Sequence, residues 1–200
     1  MIDRPTYLEK LINFKDKALI KIVNGVRGCG KSTLFDLYIN HLTLTGINKN
    51  QIIRLNLEDY EFIDITNSRE LYEYINSRLN PNKMNYVFID EVQIISDFQQ
   101  ACDSLYIKEN VDLYITGSNS KLLSGELATL LSGRYVEIKM LPLSFKEYIS
   151  YVGETDIEKK YVDYITRSSF PYTLMLDSAK EIRMYLDGLY NTVIVNDIAE

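Results

Sequence analysis

The sequence is poor in the residues that build disulfide and metal frameworks: two cysteines, Cys29 and Cys102, and one histidine, His41, among 200 residues. Neither a disulfide scaffold nor a cysteine/histidine metal site can be assembled from so few, and this usage reads as intracellular, giving a cytoplasmic expectation. A lone histidine near the end of a helix supports no catalytic role. Positive charge is also scarce. With 22 Lys and Arg against 28 Asp and Glu the formal net charge is -6, opposite in sign to a general nucleic-acid binder, so any such contact would have to be local. Lys10, Lys15, Lys17 and Lys21 form a modest basic cluster whose spacing around a helix and a strand assigns it to a solvated face. No apolar run approaches the ~18 residues of a membrane span. Met1 to Lys10 mixes charged with apolar residues where a secretory signal would need a continuous apolar segment. Tryptophan is absent while tyrosine numbers 16, which we read as a compositional bias.

What is present is an alternation. Apolar strand-like runs separated by amphipathic helical stretches recur through the first three quarters, the pattern of a parallel sheet covered on both faces. The expected strands are Ala18 to Val23, Gln51 to Leu57, Tyr86 to Ile89, Asp112 to Thr116 and Tyr135 to Met140. Helices are expected over Lys31 to Leu42, Ser68 to Leu79 with Asn80-Pro81 as its stop, about Asp97 to Lys108, and Ser124 to Leu131. Beyond Pro142 only helices are expected: Phe145 to Tyr151, about Asp156 to Arg167, and about Ala179 to Ile198. The division this suggests is an α/β core over residues 1–150 and a small helical, lid-like region over 151–200. The last helix is still amphipathic at Glu200, which leads us to expect a piece of something longer.

Gly25-Val26-Arg27-Gly28-Cys29-Gly30-Lys31-Ser32 has a glycine, four free positions, then glycine, lysine and serine, with a strand before it and a helix after it. That setting is what a phosphate-cradling loop requires. Glycines let the backbone wrap closely around phosphate oxygens, and the N–H groups that open the helix supply donors and a favourable dipole. The expectation is ATP held by Gly25, Val26, Arg27, Gly28, Cys29, Gly30, Lys31, Ser32 and Thr33, with Lys31 neutralising the terminal phosphates and Ser32 ligating magnesium. A plain glycine-rich turn capping a helix is the alternative. Cys29, at a helix N-terminus, invites a redox role, but its expected place is a tolerant loop position with the side chain turned away from the phosphates. Cys102 is expected in the core.

Tyr86-Val87-Phe88-Ile89-Asp90-Glu91 is an apolar strand ending in adjacent acids. Asp90 is expected to hold Mg2+ through its water shell and Glu91 to orient and deprotonate an attacking water; a solvated loop opening with two acids is the plainer reading. Loop and acids together resemble the AAA+ branch of P-loop ATPases (P-loop NTPase, ASCE type). That resemblance implies a further strand between the acid-bearing strand and the loop strand, and a polar residue at the tip of the next strand to sense the γ-phosphate. Thr116, Ser118 and Asn119 offer this, Asn119 being the usual amide type and Thr116 and Ser118 lying nearer the strand end; all three also suit an ordinary turn. The resemblance also implies that Asn56 restrains Glu91, against a turn or cap role. Arg134, just before the fifth strand, could reach a γ-phosphate in trans as an arginine finger, or form a surface salt bridge.

A narrower resemblance rests on more residues: Thr33-Leu34 after the loop, Val92-Gln93 after the acids, Thr116-Gly117-Ser118-Asn119-Ser120, Ser132-Gly133-Arg134-Tyr135 followed by Leu141-Pro142-Leu143-Ser144-Phe145-Lys146-Glu147-Tyr148, and Tyr185-Leu186-Asp187-Gly188-Leu189-Tyr190-Asn191-Thr192-Val193. Together they resemble the prokaryotic AAA_14 ATPases that carry a C-terminal DUF4143 domain. Many of those proteins have a second arginine where this chain has Gly28. The resemblance implies an ATPase core ending close to Glu200, with a further domain that could supply nucleic-acid or protein contacts. The leading expectation is an ATPase, with homo-oligomers possible through Arg134. A nucleotide-dependent switch with negligible turnover and a small-molecule phosphotransferase stay open, as does ATP against GTP.

Overall fold

The computed structural model describes residues 2–117, 131–153 and 155–193. Its elements are α1 (Pro5–Asn13), β1 (Ile20–Asn24), α2 (Lys31–Leu44), β2 (Ile52–Asn56), α3 (Ser68–Asn76), β3 (Asn85–Asp90), α4 (Phe98–Tyr106), β4 (Val111–Gly117), β5 (Tyr135–Lys139), α5 (Phe145–Val152), α6 (Ile157–Arg167) and α7 (Ala179–Val193). The five strands form one parallel sheet in the order β2-β3-β4-β1-β5. β4 thus lies between the acid-bearing strand and the loop strand. The helix expected over Ser124 to Leu131 lies outside the described residues except for its last position, and the end of the helix expected to reach Ile198 lies outside them too.

Alternation along each strand sends successive side chains to opposite faces, so the sheet makes two cores. One gathers Ile20, Ile22, Leu55, Val87, Ile89, Leu113 and Ile115 under α3 and α4. The other gathers Val23, Tyr86, Phe88 and Tyr114 with Ile138 and Met140 under α2, whose Leu34, Phe35, Tyr38 and Leu42 are fully buried. Phe88 stacks on Tyr114 with ring centres 4.8 Å apart, and Phe35 and Tyr38 meet Phe88 edge-on. Cys102 is buried in the first core, where desolvation pushes its thiol up to about 12.

The face under α2 also holds a buried ion pair, which corrects one sequence expectation. Lys21 is not part of a solvated face: it is 0% exposed and its ammonium pairs with Asp112 and donates to Lys17 O at 2.8 Å. The other carboxylate oxygen of Asp112 accepts from Tyr114 OH at 2.8 Å and from the Asp16 amide at 2.9 Å. Because Lys21 and Asp112 alternate to the interior face of adjacent strands, desolvation has to be offset by this set of partners. Burial lowers the pKa of Lys21 and raises that of Asp112.

α1 was not foreseen. Pro5 sits at its first position, where a fixed φ and a missing N–H are no handicap, and the Arg4 carbonyl accepts the Tyr7 and Leu8 amides. Its Leu11 is buried, with Tyr7, Leu8 and Ile12 packed against the second core. After β5 the chain turns helical as expected. Ser144 and Glu147 close a capping box at the start of α5, a helix that runs through residue 150. The region from Leu143 to Leu189 folds back until Pro171, Tyr172, Tyr185 and Leu189 overhang the loop that follows β1.

Candidate functional site

The loop leaves β1 at Gly25. A Cβ there would come 2.2 Å from the backbone oxygen of Met140, whose amide donates to Asn24 O at 2.7 Å. Only glycine permits β1 and the end of β5 to stay this close. Gly28 and Gly30 have φ of +81° and +101°, so the bend needs them for a second reason. α2 then starts at Lys31. Among the described residues none accepts a hydrogen bond from the amides of Gly28, Gly30, Ser32 or Thr33, while the Lys31 amide donates toward the Cys29 sulfur. Unsatisfied first-turn donors of this kind, with the positive end of the helix dipole, form an anion site.

Lys31 reaches back across the bend, donating from Nζ to Gly25 O at 2.9 Å, and lies 3.3 Å from Glu91 Oε1. Ser32 is exposed and lines the cavity. Arg27 is exposed, pairs with Glu58 at 2.7 Å, and shares the same wall. Val26 points to solvent. Cys29 is turned into the core, as expected, and burial pushes its thiol up, so it offers backbone and not sulfur chemistry.

At the carboxyl edge of β3, Asp90 is 0% and Glu91 is 7% exposed. Thr116, at the tip of β4, organises both: its hydroxyl donates to Asp90 Oδ1 and accepts the Glu91 amide at 3.0 Å. Of the three sensor candidates, Thr116 thus holds the acids in place, while Ser118 and Asn119 lie outside the described residues. Glu91 adopts φ +53°, a left-handed conformation, and receives Gln93 Nε2 at 2.6 Å. Asn56 does not restrain Glu91 through a hydrogen bond; its Oδ1 accepts the Glu58 amide at 3.2 Å, the turn role.

Two cations at this site escaped sequence reasoning. Arg54 on β2 lies 3.5 Å from Asp90 Oδ2 and 3.3 Å from Asp36, and 5.7 Å from the centre of the Phe35 ring. Arg4 lines the cavity beside Gly30 and donates from Nη1 to Cys29 O at 3.0 Å. Arg54 has strand alternation as a signal, since it lies one strand from Asp90 in register Asn56 to Asp90; Arg4 had none beyond the Pro5 that opens its helix.

Arg134 sits elsewhere. Tyr135 pairs with Ile20 and Lys139 with Asn24, so Arg134 lies at the amino edge of the sheet, a strand length of roughly 16 Å from the loop edge at ~3.3 Å per residue. It cannot serve its own loop. Its guanidinium pairs with Asp103 and lies 5.6 Å from the centre of the Tyr106 ring, yet the side chain stays 42% exposed.

The loop opens into a cavity of about 790 Å³, a size that takes a mononucleotide. Its floor is Gly28 and Gly30 to Thr33 with Glu91, and its apolar wall is Ile2, Leu143, Pro171, Met175 and Leu189 with Tyr172 and Tyr185. The two tyrosine rings are tilted together, centres 5.1 Å apart. Among the described residues no group of three or more His, Cys, Asp or Glu could by itself hold a metal ion, and no helix is long and apolar enough to cross a membrane.

Comparison with known proteins agrees with this fold. Solved structures of similar fold include the Walker-type ATPase of Pyrococcus abyssi, with a TM-score of 0.64 at 16% identity, covering 97% of this chain and 75% of that one. PCH-2 of C. elegans aligns with a TM-score of 0.56 at 15% identity over 94% of this chain and 67% of its own. The Aeropyrum pernix ORC1 protein, solved in complex with DNA, gives 0.54 at 14% identity, covering 82% and 50%. Among curated relatives, an uncharacterized protein of Haemophilus influenzae is 40% identical over 100% of this chain and 51% of its own length. One of Methanocaldococcus jannaschii is 31% identical over 88% of this chain and 42% of its own. The chain therefore spans about half the length of the curated relatives it matches. Its residues 17–149 match the AAA_14 family model, an AAA domain, and the chain belongs to that family.

Proposed function

We propose that the chain binds ATP with magnesium and hydrolyses it to ADP and phosphate. The observation that carries this reading is the set of amides at Gly28, Gly30, Ser32 and Thr33, without acceptors among the described residues, beside a cavity with a buried lysine and a buried acid pair. The amides surround the phosphates, Lys31 offsets their charge, and the tyrosine wall takes the base by stacking. The donor set fits magnesium: one exposed hydroxyl, Ser32, and one carboxylate, Asp90, are hard oxygens too few for an all-protein cage, leaving water and phosphate to complete an octahedron. Bound there, the ion would neutralise phosphate oxygens. Thr116 and Arg54 keep Asp90 fixed. Glu91 orients the attacking water and accepts its proton. Lys31 sits against Glu91 until a phosphate draws it away, so the base is released by the ligand it is to act on.

Arg134 completes the site of a neighbouring copy, because it stands at the opposite edge of the sheet with its guanidinium part exposed. Asn119 is retained as the γ-phosphate sensor. Residues 1–150 form the ATPase core, 151–200 a lid and connector toward a DUF4143-type domain, and the protein works in the cytoplasm. Glu91→Gln tests the chemistry: ATP affinity stays within about threefold while hydrolysis falls ~10²–10⁴-fold. Hydrolysis that survives this change would move the base elsewhere, and a wild-type chain that binds ATP with negligible turnover would return the protein to the class of nucleotide switches. Lys31→Ala should lose ATP affinity outright. Specific activity should rise with protein concentration, and a flat profile removes Arg134 from the mechanism.

A further inference from the structure

We propose that Arg4 is a positioning residue for the triphosphate. By holding the Cys29 carbonyl it fixes the Cys29–Gly30 peptide with the Gly30 N–H turned toward the phosphates, and through Glu147 it ties that orientation to the seat of α5. The proposal deepens the nucleotide reading above and rests on it.

Arg4 is 3% exposed, and each of its three nitrogens donates once: Nε to Glu147 Oε1 at 2.7 Å, Nη1 to Cys29 O at 3.0 Å, and Nη2 to Leu141 O at 2.6 Å. Its guanidinium carbon lies 4.7 Å from the centre of the Tyr7 ring. A rigid planar fork is thereby shared among the loop, the end of the sheet and the first helix beyond it, an arrangement an ammonium cannot reproduce.

The Cys29–Gly30 peptide needs such an anchor. It joins Cys29 to Gly30, whose φ of +101° lies in a region that glycine alone enters freely, so on that side no Cβ limits rotation of the plane. The peptide is trans, so its C=O and N–H point in opposite directions. With the carbonyl drawn to Arg4, the Gly30 N–H is turned away from the guanidinium, and on this proposal that is the direction of the phosphates. Released, the same plane can rotate and present an oxygen to the phosphates, turning a donor into a repulsive group. Glu147 extends the device: Oε1 takes Arg4 while Oε2 accepts Ser144 N and Oγ, both at 2.8 Å, at the start of α5. One carboxylate therefore caps the helix and seats the arginine that orients the loop.

The test titrates the full chain and its Arg4→Gln, Arg4→Lys and Glu147→Gln variants with Mg–ATP and with inorganic tripolyphosphate, following the Gly30 amide by ¹H–¹⁵N NMR. Loss of one charge-assisted donor predicts roughly tenfold or greater weakening of both ligands in Arg4→Gln, with a displaced Gly30 resonance before ligand is added. Arg4→Lys recovers part of the affinity, since one ammonium can still reach the Cys29 carbonyl, and Glu147→Gln loses about threefold. Folded variants with wild-type affinities and an unmoved Gly30 resonance overturn the proposal and leave ATP binding intact. A wild-type chain that binds neither ligand overturns the nucleotide reading itself. If Arg4→Gln does not fold, undiminished affinity in both other variants overturns the proposal.

Discussion

Replacing Gly25 by alanine separates a steric requirement from a conformational one. Gly25 has no positive φ, so alanine is compatible with its backbone, but the added Cβ would stand 2.2 Å from Met140 O where ordinary contact is 3.4–4 Å. The obstacle is backbone and is itself held, because Met140 N donates to Asn24 O at 2.7 Å. Something must give way by roughly 1 Å, and overpacking of this kind costs about 1–3 kcal/mol. For a domain of this size that is a fall in Tm of roughly 2–12 °C. If the loop moves instead of β5, the amides leave their arc and the affinity for Mg–ATP falls at least about tenfold, equivalent to ~1.4 kcal/mol. Thermal unfolding and calorimetric titration on one sample read both routes. Gly28→Ala is the contrasting control: its Cβ meets the hydroxyl end of Tyr185 at 3.1 Å and Leu189 and Phe170 at an ordinary 3.7 Å, but φ is +81°, so its cost is the left-handed strain of about 1–2 kcal/mol. A Gly25→Ala protein with unchanged Tm and unchanged ATP affinity would refute the close approach of β5 to the loop and the argument built on it.

Lys21→Met leaves Asp112 buried with only Tyr114 and the Asp16 amide, which should destabilise by about 3–5 kcal/mol in urea unfolding at neutral pH; a loss below ~1 kcal/mol would mean the pair is not ionised. Burial already raises the Asp112 pKa, and a folded-state acid pKa above the unfolded one adds stability below the unfolded value that is lost as pH rises through the folded one. Lys21→Met should therefore recover part of its deficit as pH falls from 7 toward 5, and a deficit constant with pH contradicts this. Glu70 accepts Thr66 N at 2.7 Å and Thr66 Oγ1 at 2.9 Å, and these bonds lower its pKa. Its contribution is present above the unfolded pKa and disappears as pH falls through the folded one, so Glu70→Gln should flatten the acid limb of Tm against pH. Both thiols are buried and shifted upward; at pH 8 they should react with a disulfide reagent only as fast as the chain unfolds, and rapid labelling of Cys29 would show an open loop.

What was legible in the sequence was what local chemistry fixes. The five strands read correctly because a parallel sheet buried on both faces needs continuous apolar runs, and the glycine bend between β1 and α2 was legible because its glycines and its flanking elements are contiguous. The acids could be named from Ile89-Asp90-Glu91, since a strand end places adjacent residues at one edge. What failed to appear were relations between segments far apart in the chain. Lys21 looked solvated because charge is a surface residue on average, and only the register of β1 beside β4 shows Asp112 waiting on the same face. Asn56 lies within one strand of Glu91, yet the turn after β2 gives its oxygen a nearer amide in Glu58. Arg54 reads as an ordinary strand charge until β3 is laid beside it.

The uses proposed for Arg4 and Arg134 are opposite for the same residue type. Both lie on the chain just ahead of a regular element, Arg4 before α1 and Arg134 before β5. Arg4 is nearly sealed, with three protein acceptors on separate segments, so desolvation makes it a fixed strut within one subunit. Arg134 has one carboxylate partner in Asp103 and a side chain 42% open to water. An exposed pair of that kind is worth about 0–1 kcal/mol, little enough for a neighbour's phosphate to outbid it. Charge reversal at Asp103 discriminates the two uses: Asp103→Lys should leave ATP affinity of the isolated chain unchanged, because Arg134 stands at the far edge of the sheet, while changing the concentration dependence of turnover. An affinity change in the monomer would place Arg134 in communication with its own loop and defeat the assignment in trans.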